Sequence, residues 1–141
     1  MLELIEEALV DAPIEVVWND LTDPIALAAW FWPERMQTEA RIDLRVEGAY
    51  EVRSGPASLA VAGVIVALEA PRMLRLQWRW EGEEHATDVE IGLEPAADDS
   101  TRLRVAHAGF LTADERASHV EGWSGCLQRL IDRHAAWVGG A

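Results

Sequence analysis

The sequence contains no lysine: all twelve basic residues are arginine, against 25 aspartates and glutamates, so the formal charge is −13. A surface of this charge repels polyanions, which argues against binding to nucleic acid or to an anionic membrane. No apolar run approaches the roughly 20 residues needed to cross a bilayer. The single cysteine, Cys126, excludes an intramolecular disulfide. The first twenty residues lack a basic start followed by an apolar stretch, so we expect a cytoplasmic protein.

The composition is sufficient for one packed domain. Half of the 141 residues are apolar and 26% are charged, which is typical of globular proteins and not of disordered chains. A chain of this length buries about two-thirds of the surface that its unfolded form exposes. We therefore expect residues 1–141 to form a single domain.

Two short helices are predicted directly after a first strand at residues 2–10. Pro13 suits the first turn of a helix, because its missing N–H would be unpaired there in any case. Asp23, followed by Pro24, should cap a second short helix that reaches about Trp30.

Six further strands are predicted between Arg35 and Phe110. The clearest covers 74–81, where Leu, Leu, Trp and Trp alternate with polar residues, and the same alternation recurs at 87–94 and 102–107. Short connections rich in turn formers join these segments, and no helical crossover separates them. The pattern predicts an antiparallel meander with one buried face.

A long C-terminal helix is predicted from Thr112 to about Val138. Thr112 and Glu115 have the spacing of a capping box. One apolar stripe follows on the helix, made by Val120, Trp123, Leu127, Leu130, Ile131, His134 and Val138. A helix of this length would measure roughly 37 Å, which is enough to cover the apolar face of the sheet.

This order of elements is the helix-grip arrangement, an α+β fold in which a curved antiparallel sheet of about seven strands wraps around the C-terminal helix. Local strings extend the match along nearly the whole chain, among them Ala12–Trp18 (APIEVVW), Leu21–Pro24 (LTDP), His107–Phe110 (HAGF) and Gly122-Trp123. The sequence resembles the START-like, birch-pollen-allergen-like (SRPBCC) superfamily, in the branch named for the activator of the Hsp90 ATPase. One departure is Glu47-Gly48-Ala49, where many relatives carry a Gly-Gly pair.

The resemblance implies a functional cavity between the sheet and the long helix, and it implies no cofactor. The superfamily includes lipid and hormone carriers, polyketide cyclases and oxygenase domains, so the fold alone does not select a chemistry. Chaperone activation belongs to longer eukaryotic members with an additional domain.

Aromatic residues are concentrated on the surfaces predicted to face this cavity. They could line a pocket for an apolar or aromatic ligand, with indole N–H groups as orienting donors, or they could simply pack the core. Core packing is the stronger expectation for Trp18 and Trp78, and both interpretations stay open for Trp30, Trp32 and Trp80. The candidate cavity residues are Trp30, Trp32, Tyr50, Trp78, Trp80, His107, Phe110, Trp123 and Leu127.

His107 is the one candidate for catalysis. Alternation with Leu103 and Val105 turns it inward, where it could bind a ligand carbonyl, act as an acid or base, or be a satisfied core residue. Catalysis would need a second polar group nearby, and Tyr50, Asp43 and Thr87 are candidates. His134 is expected to act at the helix C-terminus, whereas His85 and His119 are expected at the surface.

Other patterns give weaker signals. We expect no metal site, because no two histidines are three or four residues apart on a helix. Ser124 lies in a sequence like a nucleophile elbow, but it falls inside a helix, so we do not expect catalysis there. Gly122 and Gly125 each cost about 1 kcal/mol in a helix, which predicts close approach to the sheet or to a ligand. Arg45 and Arg53 could face a ligand carboxylate or be exposed.

Three functions follow from these features. The first is binding of a small hydrophobic or aromatic molecule under a lid formed by the two short helices. The second is a cyclase-like or hydrolase-like enzyme with His107 as general base. The third is a protein-interaction module, such as a co-chaperone or stress-response partner, which predicts a filled interior and an exposed apolar patch. A homodimer could form over an edge strand or the tryptophan-rich lid.

Overall fold

A computed structural model describes residues 2–135. Seven strands form one antiparallel sheet in the order β1-β7-β6-β5-β4-β3-β2, so the first strand lies beside the last. The strands are β1 (Leu2–Val10), β2 (Thr38–Ile42), β3 (Ala49–Ser54), β4 (Leu59–Glu69), β5 (Met73–Trp80), β6 (Thr87–Ala96) and β7 (Ser100–Phe110). The helix-grip α+β fold predicted from the sequence is confirmed.

The two helices after β1 are α1 (Ile14–Thr22) and α2 (Pro24–Trp30), as predicted. The side chain of Asp23 accepts a hydrogen bond from the backbone N–H of Ala26 at 2.9 Å, which caps α2. Single 3₁₀ turns follow at Glu34–Met36 and at Ala97–Asp99.

The C-terminal helix, α3, spans Ala113–Arg133 and is shorter than predicted. Thr112 caps its start by accepting from the backbone N–H of Glu115 at 3.1 Å. The helix ends because His134 leaves the helical conformation at the C-cap (φ −113°, ψ 13°), where its ring bonds to the buried carboxylate of Asp20 at 2.5 Å. The predicted continuation to Val138 lies outside the described residues. Neither α3 nor any other helix of the described chain is long and apolar enough to span a bilayer.

The core fills the space between the concave face of the sheet, α1, α2 and one side of α3. Trp123, Leu127 and Leu130 of the predicted stripe are buried, and Val120 and Ile131 pack partly buried beside them. Trp18 packs against the edge of this core. The stripe therefore faces the sheet as its spacing predicts.

The turn before β3 shows how the chain accommodates its departure from the family pattern. Glu47 adopts a left-handed conformation (φ 70°), which a glycine adopts at lower cost. At Gly48 a Cβ atom would lie 2.0 Å from the carbonyl oxygen of Asp43. Position 48 therefore requires glycine, whereas position 47 tolerates glutamate.

Candidate ligand-binding site

A pocket of about 420 Å³ opens between the sheet and α3, near the end of β5. Its inner wall is aromatic, its helical wall contains two glycines, and its rim is polar. The inner wall is formed by Phe31, Trp32, Trp78, Trp80 and Trp123, the helical wall by Gly122, Gly125, Cys126 and Arg129, and the rim by Leu59, Glu83, Ser118, His119 and Glu121.

The aromatic rings of the inner wall pack against one another in two stacked pairs. Trp78 and Trp123 are nearly parallel, with centroids 5.5 Å apart and planes at 6°, and they join β5 to α3. Trp32 stacks on Trp80 at 6.1 Å. Phe31 meets Trp78 edge to face at 6.3 Å. These contacts hold the wall in place without filling the pocket.

Glycines make room on both sides of this wall. Gly63 pairs with Trp78 across the β4–β5 ladder, and a Cβ atom there would lie 3.1 Å from the Cβ of Trp78. On α3, a Cβ at Gly122 would meet nothing within 4 Å, and one at Gly125 would meet only the guanidinium of Arg129, at 3.4 Å. No sheet atom lies within 4 Å of a Cβ at either position, so the sheet does not approach these glycines; both border the pocket, and the alternative of close approach to a ligand stays a prediction.

The pocket brings together four of the nine predicted cavity residues: Trp32, Trp78, Trp80 and Trp123. The other five, Trp30, Tyr50, His107, Phe110 and Leu127, are buried in the core and do not line it. Trp30 and Tyr50 fix α1, since the indole N–H of Trp30 donates to the Asp20 carbonyl at 3.0 Å and the Tyr50 hydroxyl to the Leu21 carbonyl at 2.6 Å. No described residue of α1 or α2 lines the pocket, so the lid stays a prediction. Burial raises the pKa of Tyr50, so its proton stays in place.

His107 is fully buried, and both of its ring nitrogens are occupied. The indole N–H of Trp123 donates to Nδ1 at 2.9 Å, so the neutral ring carries its proton on Nε2 and donates it to the Thr87 hydroxyl oxygen at 2.7 Å. Burial, and then the nearby His119, lower the pKa of His107 to about 3. Of the predicted polar partners, Thr87 alone contacts this ring; Asp43 is exposed and pairs with Arg45.

His119 lines the pocket, so its predicted place at the surface was wrong. Its Nε2 accepts from the indole N–H of Trp80 at 3.0 Å, and its Nδ1–H donates to the Glu115 carbonyl one helical turn earlier, at 2.8 Å. The signal in the sequence was its position four residues before Trp123, on the flank of the apolar stripe.

Arg129 and Cys126 are two further pocket residues that sequence reasoning did not assign to the site. Arg129 donates from Nε to the Trp30 carbonyl at 3.0 Å and from Nη2 to the Phe31 carbonyl at 2.7 Å. The Cys126 thiol donates to the same Phe31 carbonyl at 2.9 Å, and burial raises its pKa to about 11. Positions 122, 126 and 129 share one helical face, which was the available signal.

Glu83, His85 and Glu115 meet beside the pocket rim, with their ligand-type atoms all within 4.8 Å of one another. Helical spacing alone could not identify this set, because the loop before β6 folds onto the first turn of α3. His85 Nε2 lies 2.9 Å from Glu115 Oε1, and the two side chains are mostly buried. The His85–Glu115 contact joins the loop before β6 to α3, and this structural role explains why the residues lie together.

The remaining candidates lie outside the pocket. Ser124 is exposed within α3. Arg45 pairs with Asp43 at 2.7 Å in solvent, and Arg53 is exposed on β3. The exposed alternative for both arginines is therefore the one that the structure shows.

Comparison with known proteins agrees with this architecture. Residues 11–135 match the family model described as Activator of Hsp90 ATPase homolog 1-like protein. The structure is similar to protein CV1439 from Chromobacterium violaceum, with TM-score 0.78 and 23% identity over 94% of this chain and 96% of that one. CalU16 from Micromonospora echinospora matches with TM-score 0.71 and 28% identity over 91% of this chain and 71% of that one.

A third solved structure is PFC0360w, described as an HSP90 activator from Plasmodium falciparum. It matches with TM-score 0.76 and 18% identity over 92% of this chain and 94% of that one. At 18% and 23% identity, the likeness of the present chain to PFC0360w and to CV1439 shows a common fold. A search of curated proteins gave no match.

Proposed function

Because the chain belongs to the family of Activator of Hsp90 ATPase homolog 1-like proteins, we propose that it uses the cavity of this fold to bind a small aromatic or apolar molecule. The observation that carries the proposal is an open pocket of about 420 Å³ with four tryptophans in its lining. Ligand sites usually measure about 300–1,000 Å³ and combine apolar walls with a few polar groups.

The aromatic wall also contains a buried hydrogen-bond donor without a partner in the described part of the chain. The indole nitrogen of Trp78 is buried and has no hydrogen-bond partner among residues 2–135. Leaving a buried donor unsatisfied costs about 1–3 kcal/mol. This nitrogen exposes almost no surface to the pocket, so a ligand acceptor would recover that energy only after the aromatic wall around Trp78 shifts.

The enzyme alternative with His107 as general base has weaker support. A base needs a free lone pair within reach of the substrate proton. The lone pair of Nδ1 already accepts the indole N–H of Trp123, and the ring has no exposed surface. The lone pair of His119, which does line the pocket, likewise accepts from Trp80.

The protein-interaction alternative also has weaker support, since it predicts a filled interior and the pocket is open. The Hsp90 activation named for the Plasmodium falciparum protein is a property of that protein. Dimerisation over an edge strand, β1 or β2, or over the tryptophan-rich segment at residues 30–32 stays a prediction.

The proposal can be tested with N-phenylnaphthylamine, an uncharged aromatic probe whose fluorescence rises in apolar surroundings. We expect saturable binding to the purified protein, with quenching of tryptophan emission. Gly122→Leu, which places a side chain in the open space of the pocket, should weaken binding at least about tenfold, equivalent to 1.4 kcal/mol.

Ser124→Leu is the matched control, because it adds the same side chain to an exposed position of the same helix that does not border the pocket. It should leave the affinity within about twofold. Native mass spectrometry of the purified protein would add a search for a co-purified ligand. Equal binding by the two leucine variants, or no saturable binding by the parent chain, would refute the proposal.

A further inference from the structure

Arg129 lines the pocket and has no acidic partner among residues 2–135. The carboxylates of the described chain pair with five other arginines, 41, 45, 75, 104 and 133, at 4.0 Å or less. One helical turn away, Arg133 contacts the Asp20 carboxylate at 3.1 Å. No carboxylate within residues 2–135 lies at such a distance from Arg129. Its positive charge is therefore not neutralised by a direct contact in that part of the chain.

The guanidinium of Arg129 is nevertheless held in a fixed position. Two neutral carbonyls, those of Trp30 and Phe31, accept from Nε and Nη2 at 3.0 and 2.7 Å. These bonds orient the group without cancelling its charge, and the two N–H bonds of Nη1 have no partner among the described residues. A preoriented guanidinium with free N–H groups is suited to a planar anion such as a carboxylate.

The basic and acidic residues of the pocket lie at different positions in its lining. Arg129 is its one basic lining residue apart from His119, and Glu83 and Glu121 lie in the rim. Glu121 is eight residues before Arg129 on α3, about 12 Å along the helix axis. An anion at Arg129 is thus separated from Glu121, and an uncharged aromatic body would occupy the space towards the rim.

We propose that the ligand of this pocket is an aromatic carboxylic acid, whose carboxylate pairs with Nη1 of Arg129 while its ring lies against Trp32, Trp78 and Trp80. This inference rests on the proposed function and specifies its ligand class. Long-range attraction contributes nothing to it, since the net charge of −13 repels anions. Recognition comes from direct contact inside the pocket.

The test compares two probes of nearly equal shape, naphthoate and the uncharged naphthamide, by isothermal titration calorimetry at pH 7.5. Naphthoate should bind at least about tenfold more tightly than naphthamide to the parent chain. Arg129→Gln should reduce naphthoate affinity by about tenfold or more and change naphthamide affinity by less than threefold. Arg75→Gln is the control, because it removes the same charge from an exposed residue on the sheet, which pairs with Glu90.

The outcomes separate this inference from the proposed function. If both probes bind equally, or if Arg129→Gln weakens both alike, the pocket binds aromatic molecules and the anionic ligand class is wrong. If neither probe binds, both proposals are wrong. Should Arg129→Gln fail to fold, Arg129→Lys and the two-probe comparison on the parent chain still decide, because the preference for naphthoate needs no variant.

Discussion

The molecule contains two tryptophan–histidine pairs that are chemically alike and differ in their surroundings. In the closed pair, Trp123 donates to His107, and neither side chain reaches solvent by more than a few percent. In the open pair, Trp80 donates to His119 at the pocket rim, and both side chains are partly exposed. The two histidines lie side by side, with ring centroids 5.1 Å apart.

The difference shows that facing inward is not the same as facing a ligand. His107 is on the concave face of the sheet, but Thr87 and Trp123 occupy its nitrogens and Phe110 covers its ring at 4.6 Å. His119 projects from the flank of α3, packs against the rings of His107 and Phe110 at 5.1 and 4.8 Å, and also lines the pocket. The two pairs therefore differ in the histidine: His107 is enclosed by its neighbours, whereas His119 borders the pocket.

The largest expected effect comes from removing each histidine in turn. His107→Ala leaves a cavity and a buried indole N–H without an acceptor, so we expect the free energy of unfolding to fall by about 3–5 kcal/mol. His119→Ala exposes the Trp80 N–H to pocket water and should cost less than about 1.5 kcal/mol. Urea denaturation followed by circular dichroism measures both. Equal losses would show that the two pairs do not differ as described.

The second largest effect on stability is expected from lowering the pH, which acts on His107 of the closed pair. The folded-state pKa of His107 is lowered from its ordinary value of 6.5 to about 3, first by burial and then by His119. Above about pH 6.5 the ring is neutral in both states and adds no pH dependence. Between pH 6.5 and 3 the unfolded chain binds a proton that the folded chain does not, so the free energy of unfolding decreases as the pH is lowered. The expected loss is about 2 kcal/mol between pH 7.5 and 5.

His107→Asn is the matching control for this pH effect, because the amide oxygen can still accept from Trp123 and does not titrate. Carboxylates and the other histidines are common to both chains, so their contributions cancel in the difference. The variant should lose about 2 kcal/mol less than the parent between the two pH values. If the parent and the variant have the same pH dependence in urea denaturation, the buried neutral state of His107 is wrong.

Strand alternation and capping signals predicted the fold well, because each depends on residues close together in the chain. The proline and aspartate signals at residues 13 and 23–24 and the Thr112 cap all appear where predicted. The helix end was missed because Asp20, which draws His134 out of the helix, lies 114 residues away. A partner so remote leaves no local pattern.

Only part of the site was predicted, again because several of its contacts join residues that are far apart in the sequence. Alternation identified Trp78 and Trp80 as inward residues, but it could not show that Trp123 and Thr87 close His107, since these partners lie 16 and 20 residues away. Helical spacing identified the buried stripe and missed His119 and Arg129 on its flank. A helix packed flush against a sheet buries only its stripe, so flanking residues gain access to the interior only where a pocket separates the two layers.

A pair of glycine substitutions gives the smallest effect and tests whether the open region is in fact empty. Gly63 stands in the closed region behind Trp78, where an added methyl would lie 3.1 Å from the Trp78 Cβ and from the Tyr50 carbonyl oxygen. Gly63→Ala should therefore destabilise the fold by about 1–3 kcal/mol through overpacking. Gly122→Ala adds its methyl to open space in a helix interior, so we expect a gain of about 1 kcal/mol.

The two changes are the same in chemistry, so opposite signs in thermal and urea denaturation would isolate the packing around each position. Gly122→Ala should also weaken N-phenylnaphthylamine binding slightly, by less than about threefold, because one methyl takes up only part of the pocket. A destabilised Gly122→Ala would mean that α3 approaches another element at this point. The pocket would then be narrower than the structure shows, and the contrast between the open and closed pairs would lose its physical basis.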